Sequence, residues 1–208
     1  MKKKISLKII LSIAILFAIT SCDYFIKPQF KYSNILIPVQ EYDDEEYGFM
    51  DFNGNLVIDF EIEKEPATIM HDNFSYYYED DGKITFIKLT SKEDYETIET
   101  EYVQASLFHE GLALVVKEMG KLTYINEDLE EVIVLDSAIV SGCFNEGVAK
   151  FKNISNGKWG FINNKGDVVI DPIYDYASCF YNSHALVEIN GEKGAINKGG
   201  DFIIKAKD

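Results

Sequence analysis

Lys158-Trp159-Gly160-Phe161-Ile162-Asn163-Asn164-Lys165-Gly166-Asp167-Val168-Val169-Ile170-Asp171-Pro172-Ile173-Tyr174-Asp175 is the stretch that decides the fold. Its first six residues alternate, Asn164 to Asp167 carry turn chemistry, and Val168-Val169-Ile170 is β-branched, which together describe a β-hairpin. Gly166 supplies a positive φ at the turn. Asp171-Pro172 reads as the end of the second strand, because proline has no N–H for a ladder. A third strand, Ala185 to Ile189, leads through Asn190-Gly191 into another unit of the same kind.

That unit recurs. Tyr47-Gly48-Phe49-Met50-Asp51 with Gly54-Asn55-Leu56-Val57-Ile58 is a second copy, and Lys193-Gly194-Ala195-Ile196-Asn197 with Gly200-Asp201-Phe202-Ile203-Ile204 a third. Thr85-Phe86-Ile87 and Thr123-Tyr124-Ile125-Asn126 are degraded copies, so the glycine-equivalent positions step by 37, 38, 37 and 34 residues. An independent marker keeps the same phase: Phe108, Phe144 and Phe180 stand 36 and 36 residues apart, the first two preceding Glu110-Gly111-Leu112-Ala113 and Glu146-Gly147-Val148-Ala149. A period of this size is the signature of a repeat architecture. The expected fold is all-β: a tandem array of about five ~37-residue units with about three strands each, an open twisted stack rather than a closed ring. Equivalents of the third strand are expected at Leu112 to Val116, Val148 to Phe151 and Ile35 to Val39. No helical period is sustained, although residues 94–106 could hold a helical turn or two.

Lys-Trp-Gly-Phe-Ile-Asn, a following glycine and β-branched triplet, Asp-Pro-Ile-Tyr-Asp and a Phe-x-x-Gly-x-Ala strand resemble the bacterial WG β-repeat family. The resemblance spans roughly residues 34–205 and is strongest over 158–190, around Trp159-Gly160. It implies tandem β units in envelope-associated or secreted proteins and implies no reaction. The repeat-signature residues are then structural: Gly48, Gly54, Trp159, Gly160, Gly166, Gly194, Phe108, Phe144 and Phe180. Choline-binding repeats share a Gly-x-Trp element, but their aromatic cages are at odds with a chain holding one tryptophan.

The front of the chain reads as an address. Lys2, Lys3, Lys4 and Lys8 precede an apolar run from Ile9 to Ile19, too short to span a bilayer and typical of a signal-peptide core. Ile19-Thr20-Ser21-Cys22 resembles the bacterial lipobox, which implies cleavage before Cys22 and its acylation. Residues 1–21 are thus expected to be a lipoprotein signal peptide, 22–33 a lipidated cysteine and tether, and 34–208 the repeat domain. The membrane is the expected partner through acylated Cys22, since several acyl chains anchor stably where one does not.

Composition narrows the other partners. The 208 residues carry a formal charge of −15, and every one of the 20 basic residues is lysine. Loss of the four leader lysines takes the charge to −19. A body so acidic is repelled by phosphate backbones and anionic headgroups, so nucleic acid is not a partner.

Residues that carry chemistry are sparse. His71, His109 and His184 lack the convergent spacing a metal needs, and neither catalytic nor cofactor motifs occur. No catalytic residue, metal or cofactor is expected. Cys143 and Cys179 each precede a marker phenylalanine, so in-register stacking brings them within disulfide reach; the alternative is two small buried thiols. The acidic clusters 43–46 and 79–81 could bind a cation or a basic partner weakly, or be solvated loops. Tyr76-Tyr77-Tyr78 places aromatics on both faces of a strand, for recognition of protein or glycan or simply for packing. The expected function is that of a lipid-anchored bacterial cell-envelope protein, on the periplasmic or surface side, acting as a non-catalytic binding or scaffolding module. The alternatives are a structural spacer or assembly factor and, further off, a hydrolase.

Overall fold

The computed structural model describes residues 35–41, 46–92, 94–117, 121–136, 138–142 and 144–205. The expected leader, Cys22, the tether, residues 43–45 of the first acidic cluster, and Cys143 lie outside the described residues. All regular structure among the described residues is β, in two compact units that divide between Leu107 and Phe108. The all-β repeat expectation holds.

In the first unit, β1 (Ile35–Gln40), β2 (Tyr47–Met50) and β3 (Leu56–Ile62) form repeat 1. Repeat 2 comprises β4 (Met70–His71), β5 (Phe74–Tyr78), β6 (Ile84–Leu89) and β7 (Tyr95–Glu99), followed by β8 (Tyr102–Ala105). Short pairing of Ile35 with His71 and Leu36 with Met70 joins the two repeats into one seven-stranded sheet, ordered β3-β2-β1-β4-β5-β6-β7. Its core gathers Phe49, Ile58, Ile62, Met70 and Ile87.

In the second unit, β9 (Ala113–Lys117), β10 (Leu122–Ile125) and β11 (Glu131–Leu135) form repeat 3. Repeat 4 comprises β12 (Ala138–Ser141), β13 (Val148–Asn153), β14 (Trp159–Asn163) and β15 (Val168–Tyr174). Repeat 5 comprises β16 (Tyr176–Ala177), β17 (His184–Ile189), β18 (Glu192–Asn197) and β19 (Phe202–Lys205). Repeats 4 and 5 are four-stranded antiparallel meanders in chain order. One core cluster joins Tyr124 and Ile133 of repeat 3 to Phe144, Ala149, Phe151 and Ile162 of repeat 4. A second joins Phe161, Ile170 and Tyr174 of repeat 4 to Ala177, Phe180, Ala185, Val187 and Ile196 of repeat 5. In this unit neighbouring sheets thus close their apolar faces against one another.

Three expectations change in detail. Repeats 4 and 5 gain a short opening strand, β12 or β16, beyond the three read from sequence; β16, with two residues, leaves no alternation to read. Residues 94–106 hold β7 and β8 in place of a helical turn, because β7 pairs with β6 residue for residue from Leu89–Tyr95 to Thr85–Glu99. The second strand of repeat 4 continues through Pro172 to Tyr174. Proline is tolerated there because β15 is the outer strand of its sheet and is bulged at that point.

The bulge explains the glycine of the repeat. Trp159 pairs with Tyr174 and Phe161 with Ile170, so Gly160 alone faces residues 171–173. A Cβ on Gly160 would lie 2.6 Å from the Ile170 carbonyl oxygen and 2.7 Å from the Pro172 nitrogen. Gly48 faces a bulge of the same size, with Tyr47 paired to Ile62 and Phe49 to Ile58. At the equivalent positions of repeats 2 and 3, Thr85 and Thr123 pair directly with Glu99 and Val134. The degraded copies lost glycine where the close approach is absent.

Thr85 is buried and donates its hydroxyl to Glu79 Oε1 at 2.7 Å, whereas the hydroxyl of fully buried Thr123 has no hydrogen-bond partner. Removing an unsatisfied buried hydroxyl at constant shape stabilises. Thr123→Val is therefore expected to raise unfolding free energy by about 1 kcal/mol, read by urea denaturation, while Thr85→Val lowers it.

The hairpins that follow the glycine strand share one device. Asn163 Oδ1 accepts the Lys165 and Asp167 N–H groups at 2.9 and 3.0 Å. Asp51, Asn126 and Asn197 do the same in repeats 1, 3 and 5. Gly166 closes the turn at φ 85°, and in repeat 3 Leu129 occupies that left-handed place at φ 60°.

Candidate functional site

A second set of turns ties neighbouring repeats together. Glu110-Gly111, Glu146-Gly147 and Asn182-Ser183 all take positive φ at both residues, between 48° and 81°. This is the primed geometry of a two-residue hairpin. The Glu110 carboxylate accepts the Glu146 and Gly147 N–H groups at 2.6 and 2.8 Å. Glu146 repeats the move one unit on, accepting Ser183 N–H at 2.8 Å, with Lys198 Nζ 3.3 Å away. Sequence reading identified Glu110-Gly111 and Glu146-Gly147 only as phase markers. A carboxylate recurring at a fixed place in a tight turn was the signal available for this ladder.

Trp159 is covered by lysines. Lys150, buried to 8% exposure, donates to the Ala177 carbonyl at 3.2 Å, and its Nζ lies 4.9 Å from the indole centre, with Lys152 Nζ at 5.8 Å. These contacts occupy the ring in holding repeats 4 and 5 together.

The candidate site is the other face of repeat 5. In register, Leu186 pairs with Ala195 and Ala195 with Ile204, while Tyr176 pairs with Glu188 and Glu188 with Lys193. This row stands where Lys150, Phe161 and Ile170 stand in repeat 4. There the next sheet covers the row; here Leu186 and Ile204 are 59% and 64% exposed. The position of Ala195 is aromatic in the other four repeats: Phe49, Phe86, Tyr124 and Phe161. In repeats 3 and 4 that ring meets the marker phenylalanine of the following repeat, Tyr124 with Phe144 and Phe161 with Phe180, each at 4.8 Å and 65–67°. Alanine in its place leaves a groove of about 530 Å³ lined by Tyr176, Leu186, Glu188, Lys193, Ala195 and Ile204. A Glu188–Lys193 ion pair at 3.8 Å borders it. Sequence reading missed this face, although alanine at an otherwise aromatic position was legible.

The expected residues take other places. Phe108, Phe144 and Phe180 are each buried to 1% exposure. Cys179 is disulfide-bonded. Stacking in register makes Cys143 the expected partner; digestion without reductant should release a linked 143–179 peptide pair, and a free thiol at Cys143 overturns that pairing. Glu79 and Asp80 are engaged by Lys64 Nζ at 2.8 and 3.0 Å, and Asp81 by Lys83 at 3.4 Å. Hydrogen bonding from Lys64 holds the Glu79 carboxyl below its ordinary range. Among the described residues no group of histidine, cysteine, aspartate and glutamate is arranged to hold a metal. Tyr76 donates to the Ala105 carbonyl at 3.1 Å, and burial raises its phenol above its ordinary value. Tyr77 joins the repeat 1–2 core, leaving Tyr78 exposed. The tyrosine run is mostly packing.

Residues 159–192 match the family model described as WG containing repeat. No curated protein matches the chain. Among solved structures it is similar to the computationally designed Ika8 protein, at 13% identity and TM-score 0.46, over 86% of this chain and 60% of that one. It is similar to BamB from Moraxella catarrhalis at 11% identity and TM-score 0.39, over 82% and 57%. It is also similar to the WD40 β-propeller domain of Doa1 at 10% identity and TM-score 0.39, over 83% and 65%. The chain thus spans about 60% of the length of these structures.

Proposed function

We propose, for a chain whose residues 159–192, across repeats 4 and 5, match the WG containing repeat, that it is a lipid-anchored cell-envelope protein that binds a partner without catalysing a reaction. The observation that carries the binding reading is the outer face of repeat 5, where Leu186 and Ile204 flank Ala195 and, with Tyr176 of the adjoining row, are 53–64% exposed. Scattered exposed apolar residues are ordinary, but a contiguous row on a regular sheet is what partner surfaces offer. The anchor rests on sequence: the lysine-led apolar run and Ile19-Thr20-Ser21-Cys22.

Two measurements test the two halves. Palmitate labelling should mark the native protein and be lost in Cys22→Ser; equal labelling of both sinks the anchor. Residues 33–208 immobilised against envelope extract should retain a saturable partner. Leu186→Glu, at an exposed position, should release it with the fold intact. Retention unaffected by that change places binding elsewhere, and no retention at high micromolar concentration favours the spacer.

A further inference from the structure

The chain contains three Asn-Gly pairs, at 53–54, 156–157 and 190–191. In such a pair the glycine nitrogen can attack the asparagine side chain, because glycine has no Cβ to screen it. We propose that the fold confines this reaction to Asn190-Gly191. The tip of the β17–β18 hairpin is then a modification site, where asparagine converts spontaneously to aspartate and isoaspartate and unties repeat 5 from repeat 4.

The three pairs differ in what holds their reacting groups. Gly54 N–H donates to the Asp51 carbonyl at 3.1 Å, and Asn53 N–H to Asp51 Oδ1 at 2.8 Å. Asn156 is held more tightly still. Its Nδ2 donates to the Pro172 carbonyl and its Oδ1 accepts Lys158 N–H, both at 2.9 Å, while Gly157 N–H donates to the Asn153 carbonyl at 2.9 Å. At the third pair Asn190 N–H donates to Asp175 Oδ2 at 2.8 Å, but neither the Asn190 carboxamide nor Gly191 N–H has a hydrogen-bond partner among the described residues. Both residues are exposed. Positive φ at Asn190 (52°) and Gly191 (85°), between paired Ile189 and Glu192, makes a two-residue primed turn whose second central N–H takes no part in the ladder.

The chemistry needs only water and hydroxide. Gly191 N gives its proton to hydroxide and bonds to Asn190 Cγ; the Cγ–Nδ2 bond breaks, and ammonia leaves with a proton from water. Water then opens the five-membered imide at either carbonyl. One opening gives aspartate; the other gives isoaspartate, whose chain runs through the former side chain and is one carbon longer. Nothing is oxidised or reduced.

Both products strike a joint. The Asp175 carboxylate takes Lys158 Nζ on one oxygen and Asn190 N–H on the other, and Asp175 N–H donates to the Glu188 carbonyl at 2.8 Å. Asp175 thereby fastens the residue that opens the tryptophan strand of repeat 4 to the hairpin tip of repeat 5. Aspartate at 190 sets a second negative charge next to that carboxylate. Isoaspartate adds a backbone atom to a turn whose two residues are fixed by the register.

The test incubates the purified full-length protein in mildly alkaline buffer, folded and in concentrated urea, and follows the three pairs by peptide mapping and isoaspartyl methyltransferase labelling. In the folded protein residue 190 should convert faster than 53 and 156 by about tenfold or more, since the others must first break hydrogen bonds. In urea the three rates should converge. Conversion at 53 or 156 as fast as at 190, or the same order of rates in urea, overturns the proposal. The urea midpoint of folded protein should fall as conversion at 190 proceeds. Asn190→Gly keeps a turn sequence suited to positive φ and should hold its midpoint over the same time. A midpoint unchanged after full conversion, or one that drifts equally in Asn190→Gly, overturns the link to the joint.

Discussion

Gly160→Val unfolds the fourth repeat at concentrations of urea the native protein withstands, with an expected loss of about 3 kcal/mol or more. The added Cβ falls 2.6 Å from a carbonyl oxygen and 2.7 Å from the nitrogen of Pro172, and both are backbone atoms. A side chain could swing aside; a bulged strand carrying a proline has no such freedom. Relief would require straightening β15, which would take Tyr174 from its pairing with Trp159 and out of the core between repeats 4 and 5. Thr123, in the same place of repeat 3, shows that a β-branched residue fits when the opposite strand runs straight. A denaturation midpoint unchanged in Gly160→Val would mean that the bulge is not what glycine serves.

The carboxylate ladder has the next largest expected effect. Glu110→Ala with Glu146→Ala should lower unfolding free energy by about 2–3 kcal/mol together, because charge-assisted hydrogen bonds to three backbone N–H groups are lost. Those N–H groups lie near the surface, so water recovers part of the loss, which keeps the figure below that of a buried pair. Glu110 holds the backbone of Glu146 itself, so the two substitutions should be non-additive in a double-mutant cycle. Glutamine in place of both should recover part of the stability, since its oxygen still accepts a hydrogen bond without the charge. Full stability in the double alanine variant would reduce the ladder to surface decoration.

The sequence disclosed the fold because its two markers report backbone requirements. Glycine at 48, 160 and 194 answers a close approach, and phenylalanine at 144 and 180 fills the space between neighbouring sheets. Both therefore recur wherever the geometry recurs. Strands such as Tyr176–Ala177 escaped notice because two residues are too few to alternate. The role of Glu110 and Glu146 was hidden for a different reason: a carboxylate in a loop usually faces water, and only the positive φ values of the neighbouring turn turn its N–H groups towards it. The exposed row of repeat 5 was hidden because Leu186 and Ile204 alternate like any half-buried strand. Only register shows that their neighbours in repeat 4 are covered.

Identical turns at a constant interval also govern how this chain can change length. Excising residues 111–146 would set Glu110 directly before Gly147, where it inherits the role of Glu146 and reaches Ser183 and Lys198. Excising a few residues more or fewer would point that carboxylate at empty solvent. Insertions and deletions in genes of this kind are thus tolerated as complete modules, so variants should differ in length by multiples of one period and keep every joint intact.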